Sequence, residues 1–208
     1  MRIVCIFPVT NNIQNAPTII EEFKNSIYQR LRILGATEVE FKFAGTEYVF
    51  VPVNESLEGQ PKGKGILQCL KNTPTSPDIV ICCDGSDQIP YSYIPDVFQE
   101  IISDSSVACV MANRVGNKAI IPSRYLIERF EIFSLKRYHV SQKQIFDGQC
   151  GLWAYKAKPI KTNGTEKTIN LTAESYDIEL DLLDEVLSKK LNYSFVDVKL
   201  PIIEKKTA

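Results

Sequence analysis

The feature of the sequence that constrains the fold most is an apolar run that ends directly in a cluster of acidic and turn-forming residues. Residues 78–83 are apolar after their first position, and residues 84–90 continue as DGSDQIP. An apolar run without polar interruption indicates a strand that is buried on both faces, as in a parallel sheet. Because open α/β sheets bind ligands at the carboxyl ends of their strands, we expect Asp84 and its neighbours at a ligand site.

Strand and helix patterns alternate along the rest of the chain. Residues 2–9 form a second apolar run, and Pro17 opens a helical pattern that Gly35 ends. Further strands are predicted at residues 39–43, 48–53, 107–112, 151–155 and 193–198, and further helices at 66–73, 94–102, 123–138 and 173–190. The first two of these strands are too close for a parallel crossover, which predicts a hairpin or one bent strand. The order predicts a single domain over residues 1–208, with a three-layer α/β/α fold and a mainly parallel sheet.

Composition and charge argue against several classes of function. The 24 basic and 25 acidic residues give a formal net charge of -1, so the chain lacks the basic field that drives nucleic-acid binding. His139 is the only histidine and the six cysteines form no C-x-x-C pair, which argues against a zinc centre or a Ser-His-Asp triad. Four cysteines lie in apolar runs and are expected to be small buried side chains. They are Cys5, Cys82, Cys83 and Cys109.

The sequence contains no recognisable signal for export or for a membrane. No run of about eighteen apolar residues is present, and the apolar start at residues 1–8 is too short for a signal peptide. We therefore predict a cytoplasmic protein whose chain begins directly with its folded part. The N-x-[ST] triplets are then expected to be chance matches.

The most compact cluster of possible metal ligands consists of Asp84, Asp87 and Gln88. Two carboxylates and an amide oxygen at the end of a strand can hold a hard divalent cation such as Mg²⁺ or Mn²⁺, which prefers oxygen ligands and often shares them with a substrate phosphate. The alternative is an aspartate-rich turn without a ligand, because Asp, Gly and Ser all favour turns.

Two further segments carry groups that suit a phosphate. Gly63-Lys64-Gly65 lies in a predicted loop before a helix and offers backbone N–H groups and one ammonium. The alternative for this segment is a solvated loop. Arg114, Arg124 and Arg129 lie between a predicted strand and a helix or early in that helix, where guanidinium groups suit a diphosphate. Salt bridges on the helix surface are the alternative for the arginines.

Acidic residues occur in two more places. Asp147 lies in a polar loop, DGQCG, that leads into the strand predicted at residues 151–155. Most acidic side chains of the last predicted helix are expected on a solvated face. They are Glu174, Asp177, Glu179 and Asp181.

Taken in order, these segments resemble the motifs of glycosyltransferase family 2, which has the GT-A fold, and especially those of the dolichyl- or polyprenyl-phosphate hexose synthases. Residues 7–12 (FPVTNN) resemble the nucleotide-binding P-x-Y-N-E start, 63–65 the N-x-G-K-G segment, and 84–90 the D-x-D-x-Q-x-P motif. Residues 112–114 (ANR) resemble G-S-R, 147–152 (DGQCGL) resemble D-T-Q-C-G-F, and 176–180 (YDIEL) resemble F-D-V-E-L. The resemblance covers nearly the whole chain.

The resemblance implies a glycosyltransferase that takes a sugar from a nucleotide diphosphate donor, with inversion at the sugar carbon. The implied donor-binding residues are Pro8, Asn11, Lys64, Asp84, Arg114 and Arg124. The implied ligands of Mg²⁺ or Mn²⁺ are Asp84, Asp87 and Gln88, and the implied catalytic residues are Asp84 and, for a hydroxyl acceptor, Asp147. A polyprenyl phosphate is one candidate acceptor. The sugar, the nucleobase, the oligomeric state and any peripheral contact with a membrane stay open.

Two positions depart from the family pattern. Ser86 replaces the second carboxylate of D-x-D, which lowers the expected metal affinity, and residues 44–47 (AGTE) replace the acidic D-D-G-S-x-D segment that recognises the nucleoside. These departures favour, as an alternative, a nucleotide-sugar-binding or partner-binding domain without catalysis. A sugar nucleotidyltransferase shares the architecture and is a third hypothesis, although residues 1–20 lack its glycine-rich G-x-G-x-R opening.

Overall fold

The computed structural model describes residues 1–9, 26–45, 62–73, 75–84, 91–113, 150–162, 164–174 and 178–199. At residues 8, 9 and 42–45 it describes the backbone only. The strand predicted at 48–53, the helix predicted at 123–138 and the start of the helix that Pro17 opens lie outside these residues.

Six of the described strands form one sheet, and two short strands form a separate hairpin. The strands are β1 (Arg2–Val9), β2 (Glu38–Gly45), β3 (Ile79–Cys83), β4 (Val107–Asn113), β5 (Leu152–Lys156), β6 (Ile160–Thr162), β7 (Thr165–Lys167) and β8 (Asn192–Asp197). The order in the large sheet is β2-β1-β3-β5-β4-β8. Every neighbouring pair is parallel except the two that involve β5, which lies antiparallel to both β3 and β4. The predicted mainly parallel sheet is thus confirmed.

Helices cover both faces of this sheet. The helices among the described residues are α1 (Tyr28–Ile33), α2 (Lys62–Lys71), α3 (Ile94–Ser103), which follows a short 3-10 turn, and α4 (Ile178–Ser188). Helices α1 and α3 pack on one face, and α2 and α4 pack on the other. The described elements therefore form three layers, as the alternation of strand and helix patterns predicts.

The alternation of side chains along β3 explains why its sequence is apolar throughout. Ile79, Ile81 and Cys83 pack toward α3, whereas Val80 and Cys82 pack toward α2 and α4. Successive side chains of a strand point to opposite faces, so a strand covered by helices on both sides has no solvated position. Burial of each large apolar side chain contributes about 1.5–3 kcal/mol, which holds β3 firmly at the centre of the molecule.

Several boundaries differ from those expected. The glycine-lysine segment lies in the first turns of α2 and not in a loop, with Gly63 and Gly65 buried. The expected hairpin or bent strand at residues 39–53 is, in its described part, the parallel strand β2 beside β1. Residues 171–174 are not helical, because the carboxylate of Asp181 accepts the backbone N–H groups of Thr172 and Ala173 and so binds this segment to the side of α4.

The fold also settles the state of the cysteines. All six are free and buried, which confirms the expectation for the four that lie in strands. In the part of the chain that the structure describes, no helix is long and apolar enough to cross a bilayer.

Candidate functional site

The carboxyl ends of the parallel strands β1, β3 and β4 meet at one edge of the sheet. Asp84 follows β3 directly, and Pro8 reaches the same edge because Ile6 of β1 lies opposite Cys82 of β3. Asn113 ends β4 there and donates a side-chain hydrogen bond to Asp197 at 2.7 Å. Because β5 runs in the opposite direction, this edge receives its first residues and Gly151 before them. Asp84 therefore lies at the carboxyl end of its strand, at the edge where open α/β sheets bind ligands.

Asp84 is held closely against Gly151. The backbone N–H of Asp84 donates to the carbonyl oxygen of Gly151 at 2.9 Å, which continues the pairing of β3 with β5 by one residue. A Cβ atom added to Gly151 would lie 1.9 Å from Oδ2 of Asp84. Only glycine therefore leaves room for this carboxylate, and the described end of the DGQCG segment has a direct role in placing Asp84.

The most pronounced polar cluster in the described residues joins Lys62, Asp84 and Glu179. The ammonium Nζ of Lys62 lies 2.5 Å from Oδ1 of Asp84 in an ion pair that is not aligned as a hydrogen bond, and it also pairs with Oε1 of Glu179. The three residues come from the start of α2, the end of β3 and the first turn of α4. We call them the edge triad.

The exposed fraction of the side chain differs among the three residues of the edge triad and shows which side of the triad faces solvent. The side chains of Lys62 and Glu179 are only 9% and 8% exposed, whereas that of Asp84 is 31% exposed. Glu179 thus closes the triad from inside the protein, and Asp84 forms its side nearest to solvent.

Burial and charge act against each other on the edge triad. Burial alone lowers the pKa of Lys62, but the negative charges of Glu179 and Asp84 outweigh burial and hold this pKa above its ordinary value, so the lysine stays charged. Burial raises the pKa of Glu179 although Lys62 opposes the shift. The neighbouring thiol of Cys82 is kept neutral because burial raises its pKa.

Lys64 occupies a different position from Lys62 although only one residue separates them. Its side chain is exposed, and its backbone N–H donates to the carbonyl oxygen of Glu174 at 3.0 Å. That N–H is therefore already bound within the protein, and only the ammonium of Lys64 remains for a phosphate.

Six of the predicted site residues lie outside the described residues. They are Asn11, Asp87, Gln88, Arg114, Arg124 and Asp147. Of the remaining three, Asp84 and Lys64 lie at or next to the edge triad, and Pro8 reaches the same edge through its backbone.

The described residues do not fit a divalent cation at Asp84. Its Oδ1 atom is buried and in contact with the ammonium of Lys62, so this oxygen offers no open coordination position, and its Oδ2 atom lies against Gly151. A protein site for Mg²⁺ or Ca²⁺ usually combines such oxygens with waters or further ligands. Within the ranges described above, no three His, Cys, Asp or Glu side chains are grouped to hold a metal ion.

Sequence reasoning did not identify Lys62 and placed Glu179 with acidic residues of a solvated face. The sequence predicts a solvated face for most of these acidic residues, and Glu179 is an exception, since its side chain is buried. A signal for this was present: Leu182, Leu183 and Val186 follow Glu179 at three, four and seven residues, which is the spacing of one helical face. Glu179 therefore lies in the apolar stripe of α4, and its charge requires a partner.

A cavity of about 630 Å³ lies at the opposite edge of the sheet, far from the edge triad. Two of its lysines are already paired: Lys158 with Asp78, and Lys156 with the carbonyl oxygens of Asp104 and Ser105. Because parallel sheets place ligand sites at the carboxyl ends of strands, the edge with Asp84 is the better candidate despite this cavity.

No protein-family model matches the sequence, and no curated protein matches it either. Solved structures do match the fold. A mannosyl-3-phosphoglycerate synthase from Rubrobacter xylanophilus aligns with a TM-score of 0.60 at 15% identity, over 95% of this chain and 66% of that chain. A glucosyl-3-phosphoglycerate synthase from Mycobacterium tuberculosis, in complex with Mn²⁺, UDP-glucose and phosphoglyceric acid, aligns with a TM-score of 0.56 at 12% identity, over 98% of this chain and 72% of that chain.

These structural neighbours are nucleotide-sugar glycosyltransferases of the GT-A fold. A second structure of the Mycobacterium tuberculosis enzyme, with Mn²⁺ and UDP-glucose, aligns with a TM-score of 0.53 at 16% identity, over 99% of this chain and 72% of that chain. The chain therefore has the GT-A fold, as the order of its motifs predicts.

Proposed function

We propose that the chain is a glycosyltransferase that binds a nucleotide diphosphate sugar at the edge of the sheet that carries Asp84. The observation that supports this most is the placement of Asp84 at the carboxyl end of the central strand β3, within a GT-A fold, against a glycine that its carboxylate requires. Residues 1–208 would form one catalytic domain.

In the proposed reaction, an acceptor oxygen forms a bond to the anomeric carbon of the sugar while the bond from that carbon to the diphosphate oxygen breaks. The bonding electron pair leaves with the nucleoside diphosphate, whose growing negative charge needs positive groups nearby. Lys64 is exposed close to the edge triad and is a candidate for this task. Pro8, Asn11, Arg114 and Arg124 remain the other proposed donor contacts, on the strength of the motif order.

The class of acceptor decides whether a base is needed. A hydroxyl acceptor must lose its proton, and Asp147 is the proposed base in that case, whereas a phosphate acceptor is already ionised. The polyprenyl phosphate suggested by the motifs and the phosphoglyceric acid of the Mycobacterium tuberculosis structure are the two acceptors to test first. Both carry a phosphate, but only the second also offers a hydroxyl.

The Mg²⁺ or Mn²⁺ expected from the sequence enters no step of this proposal. One structural neighbour is complexed with Mn²⁺ and UDP-glucose, but in this chain Asp84 contacts an ammonium in place of a metal. Asp87 and Gln88, the other two proposed ligands, lie outside the described residues.

A second candidate function is a nucleotide-sugar-binding protein without catalysis. The observation that favours it is the ion pair between Lys62 and Asp84, which occupies the carboxylate that a metal-dependent enzyme would use. The sugar nucleotidyltransferase hypothesis gains no support from the geometry of the edge.

The test begins with donor binding. UDP, GDP, CDP and their common sugar conjugates are added to the full chain in a thermal unfolding experiment, because a ligand of the native state raises Tm. Transfer of labelled sugar from the best donor to a polyprenyl phosphate or to phosphoglyceric acid is then measured. Transfer supports the glycosyltransferase, binding without transfer to any acceptor favours the second candidate, and absence of binding contradicts both.

A further inference from the structure

The edge triad places an internal cation beside Asp84, the residue at which we propose that the donor binds. Lys62 lies between two carboxylates from different elements, and among the described residues only these two contact its ammonium. Two carboxylate oxygens around one positive centre form the arrangement that a divalent cation would otherwise require. In this chain a lysine provides the positive centre.

We infer that the Lys62 ammonium takes the place of a divalent cation at this edge, so that Asp84 binds no metal ion and nucleotide binding needs none. The part of this inference that concerns the nucleotide rests on the proposed function. The part that concerns the metal does not, because it follows from the contacts of Asp84 alone.

The geometry leaves no room for both cations at Oδ1 of Asp84. Mg²⁺ and Mn²⁺ bind carboxylate oxygens at about 2.0–2.2 Å, and Nζ of Lys62 already lies 2.5 Å from Oδ1 of Asp84. A metal ion at Oδ1 would therefore have to displace the ammonium, which is buried and also bound by Glu179. The other oxygen, Oδ2, is directed into the space beside Gly151.

The charges lead to the same conclusion. The triad holds two carboxylates and one ammonium, so adding a divalent cation would place two positive centres side by side in a largely buried position. Removal of the ammonium would leave two carboxylates without a counter-charge, and that pair would attract a divalent cation. The inference thus predicts a gain of metal binding when Lys62 is replaced.

Among the described residues, the contacts of the Lys62 ammonium leave one of its N–H donors available for a ligand. A lysine carries three N–H donors, and the two described contacts engage it from Asp84 and Glu179. The donor that these described contacts leave over would be offered to a phosphate oxygen that approaches beside Asp84, the more exposed side of the triad. Lys62 would then screen the diphosphate as a metal ion does elsewhere.

The experiment measures Asp84-dependent binding of Mn²⁺ by the electron paramagnetic resonance signal of free Mn²⁺. Each protein is compared with the same protein carrying Asp84→Asn, so that Mn²⁺ bound elsewhere on the chain cancels. The proteins are the wild-type full chain, Lys62→Met, and Lys71→Met as a control, because Lys71 lies exposed at the far end of the same helix.

We expect no Asp84-dependent binding in the wild type or in Lys71→Met, and clear binding at millimolar Mn²⁺ in Lys62→Met. Asp84-dependent binding in the wild type overturns the inference, and so does a folded Lys62→Met protein without it. Should Lys62→Met fail to fold, the comparison of Mn²⁺ binding between the wild type and Asp84→Asn still tests whether Asp84 binds a metal ion.

A second measurement concerns the nucleotide. Affinities of the wild type for UDP and GDP are measured by calorimetry with Mn²⁺ and with EDTA. Equal affinity under both conditions supports the inference, and a loss of at least tenfold in EDTA overturns it. If neither nucleotide binds under either condition, CDP is measured in the same way. If CDP does not bind either, the proposed function fails, and the Mn²⁺ comparison decides the role of Lys62 by itself.

Discussion

The carboxylate of Asp84 occupies the space that a side chain at position 151 would need. A hydrogen bond of 2.9 Å joins the two backbones. A methyl group on Gly151 would then lie 1.9 Å from Oδ2 of Asp84. The glycine and the carboxylate therefore depend on each other, and so do the two central strands that carry them.

Gly151→Ala is expected to lower the free energy of unfolding by about 1–3 kcal/mol, because a buried site that is already filled must absorb an extra methyl group. It should also weaken nucleotide binding, since Asp84 is displaced. Urea unfolding measures the first effect. The control is Asp84→Ala with Gly151→Ala: if the clash is the cause, the double variant loses less than the sum of the two single losses. Additive losses would contradict the clash.

Lys62→Met is expected to destabilise the protein by about 3–5 kcal/mol, because it leaves the buried carboxylate of Glu179 without a counter-charge. Lys71→Met, in the same helix and exposed, should change stability by less than about 0.5 kcal/mol. Adding Glu179→Leu to Lys62→Met should restore much of the loss. Urea unfolding of the three variants checks this. A Lys62→Met protein as stable as the wild type would show that the ion pair between Lys62 and Glu179 adds nothing to the free energy of unfolding.

Asp84→Asn keeps the size of the side chain but removes its charge. We expect sugar transfer to fall by about 100-fold or more, comparable to the removal of one electrostatic contact from a catalytic site, while the circular dichroism spectrum stays unchanged. The matched control is Asp96→Asn, whose exposed ion pair with Arg30 lies on α3 at the other face of the sheet. Retained transfer in Asp84→Asn would remove Asp84 from the proposed site.

Asp78 makes stability depend on pH at the opposite edge. Burial alone raises its pKa, but the ammonium of Lys158 and the backbone N–H of Arg2, at 2.6 Å from Oδ2, outweigh burial and hold this pKa below its usual value. A depressed carboxyl pKa contributes stability above the unfolded pKa, and this contribution disappears as pH falls through the folded pKa.

The stability difference between the wild type and Asp78→Asn should therefore be present at pH of about 7 and shrink below about 4. Urea unfolding at a series of pH values measures it, with Asp96→Asn as the reference. A difference that grows as the pH falls would contradict the assignment.

The strands were predictable because a strand that is buried on both faces is apolar at nearly every position of its sequence. The apolar runs before Asp84 and at residues 2–9 admit hardly any position for a polar side chain, and both are strands in the structure. The edge that carries Asp84 was predictable from the same pattern, because a polar cluster that follows such a strand lies at the carboxyl end of that strand.

The partner of Asp84 was not predictable in the same way. Glycine favours loops over helices, so the glycines on both sides of Lys64 did not indicate that Lys62 begins a helix, and burial of the two glycines overrides that propensity. The direction of β5 was equally hidden, since a short apolar strand carries the same pattern in either orientation. Glu179 was the exception, because the helical spacing around it was already present in the sequence.

The reversed strand at the centre of the sheet has a consequence for synthesis on the ribosome. Strand β4 has no hydrogen bonds to β3 and joins the sheet through β5 and β8. Until Leu152–Lys156 has left the exit tunnel, β3 therefore has one edge without its native neighbour, and β4 has neither of its partners. Unpaired edges are templates for aggregation. The nascent chain therefore keeps unpaired strand edges until β5 and then β8 have emerged, and chaperones that act during translation protect exposed edges of this kind.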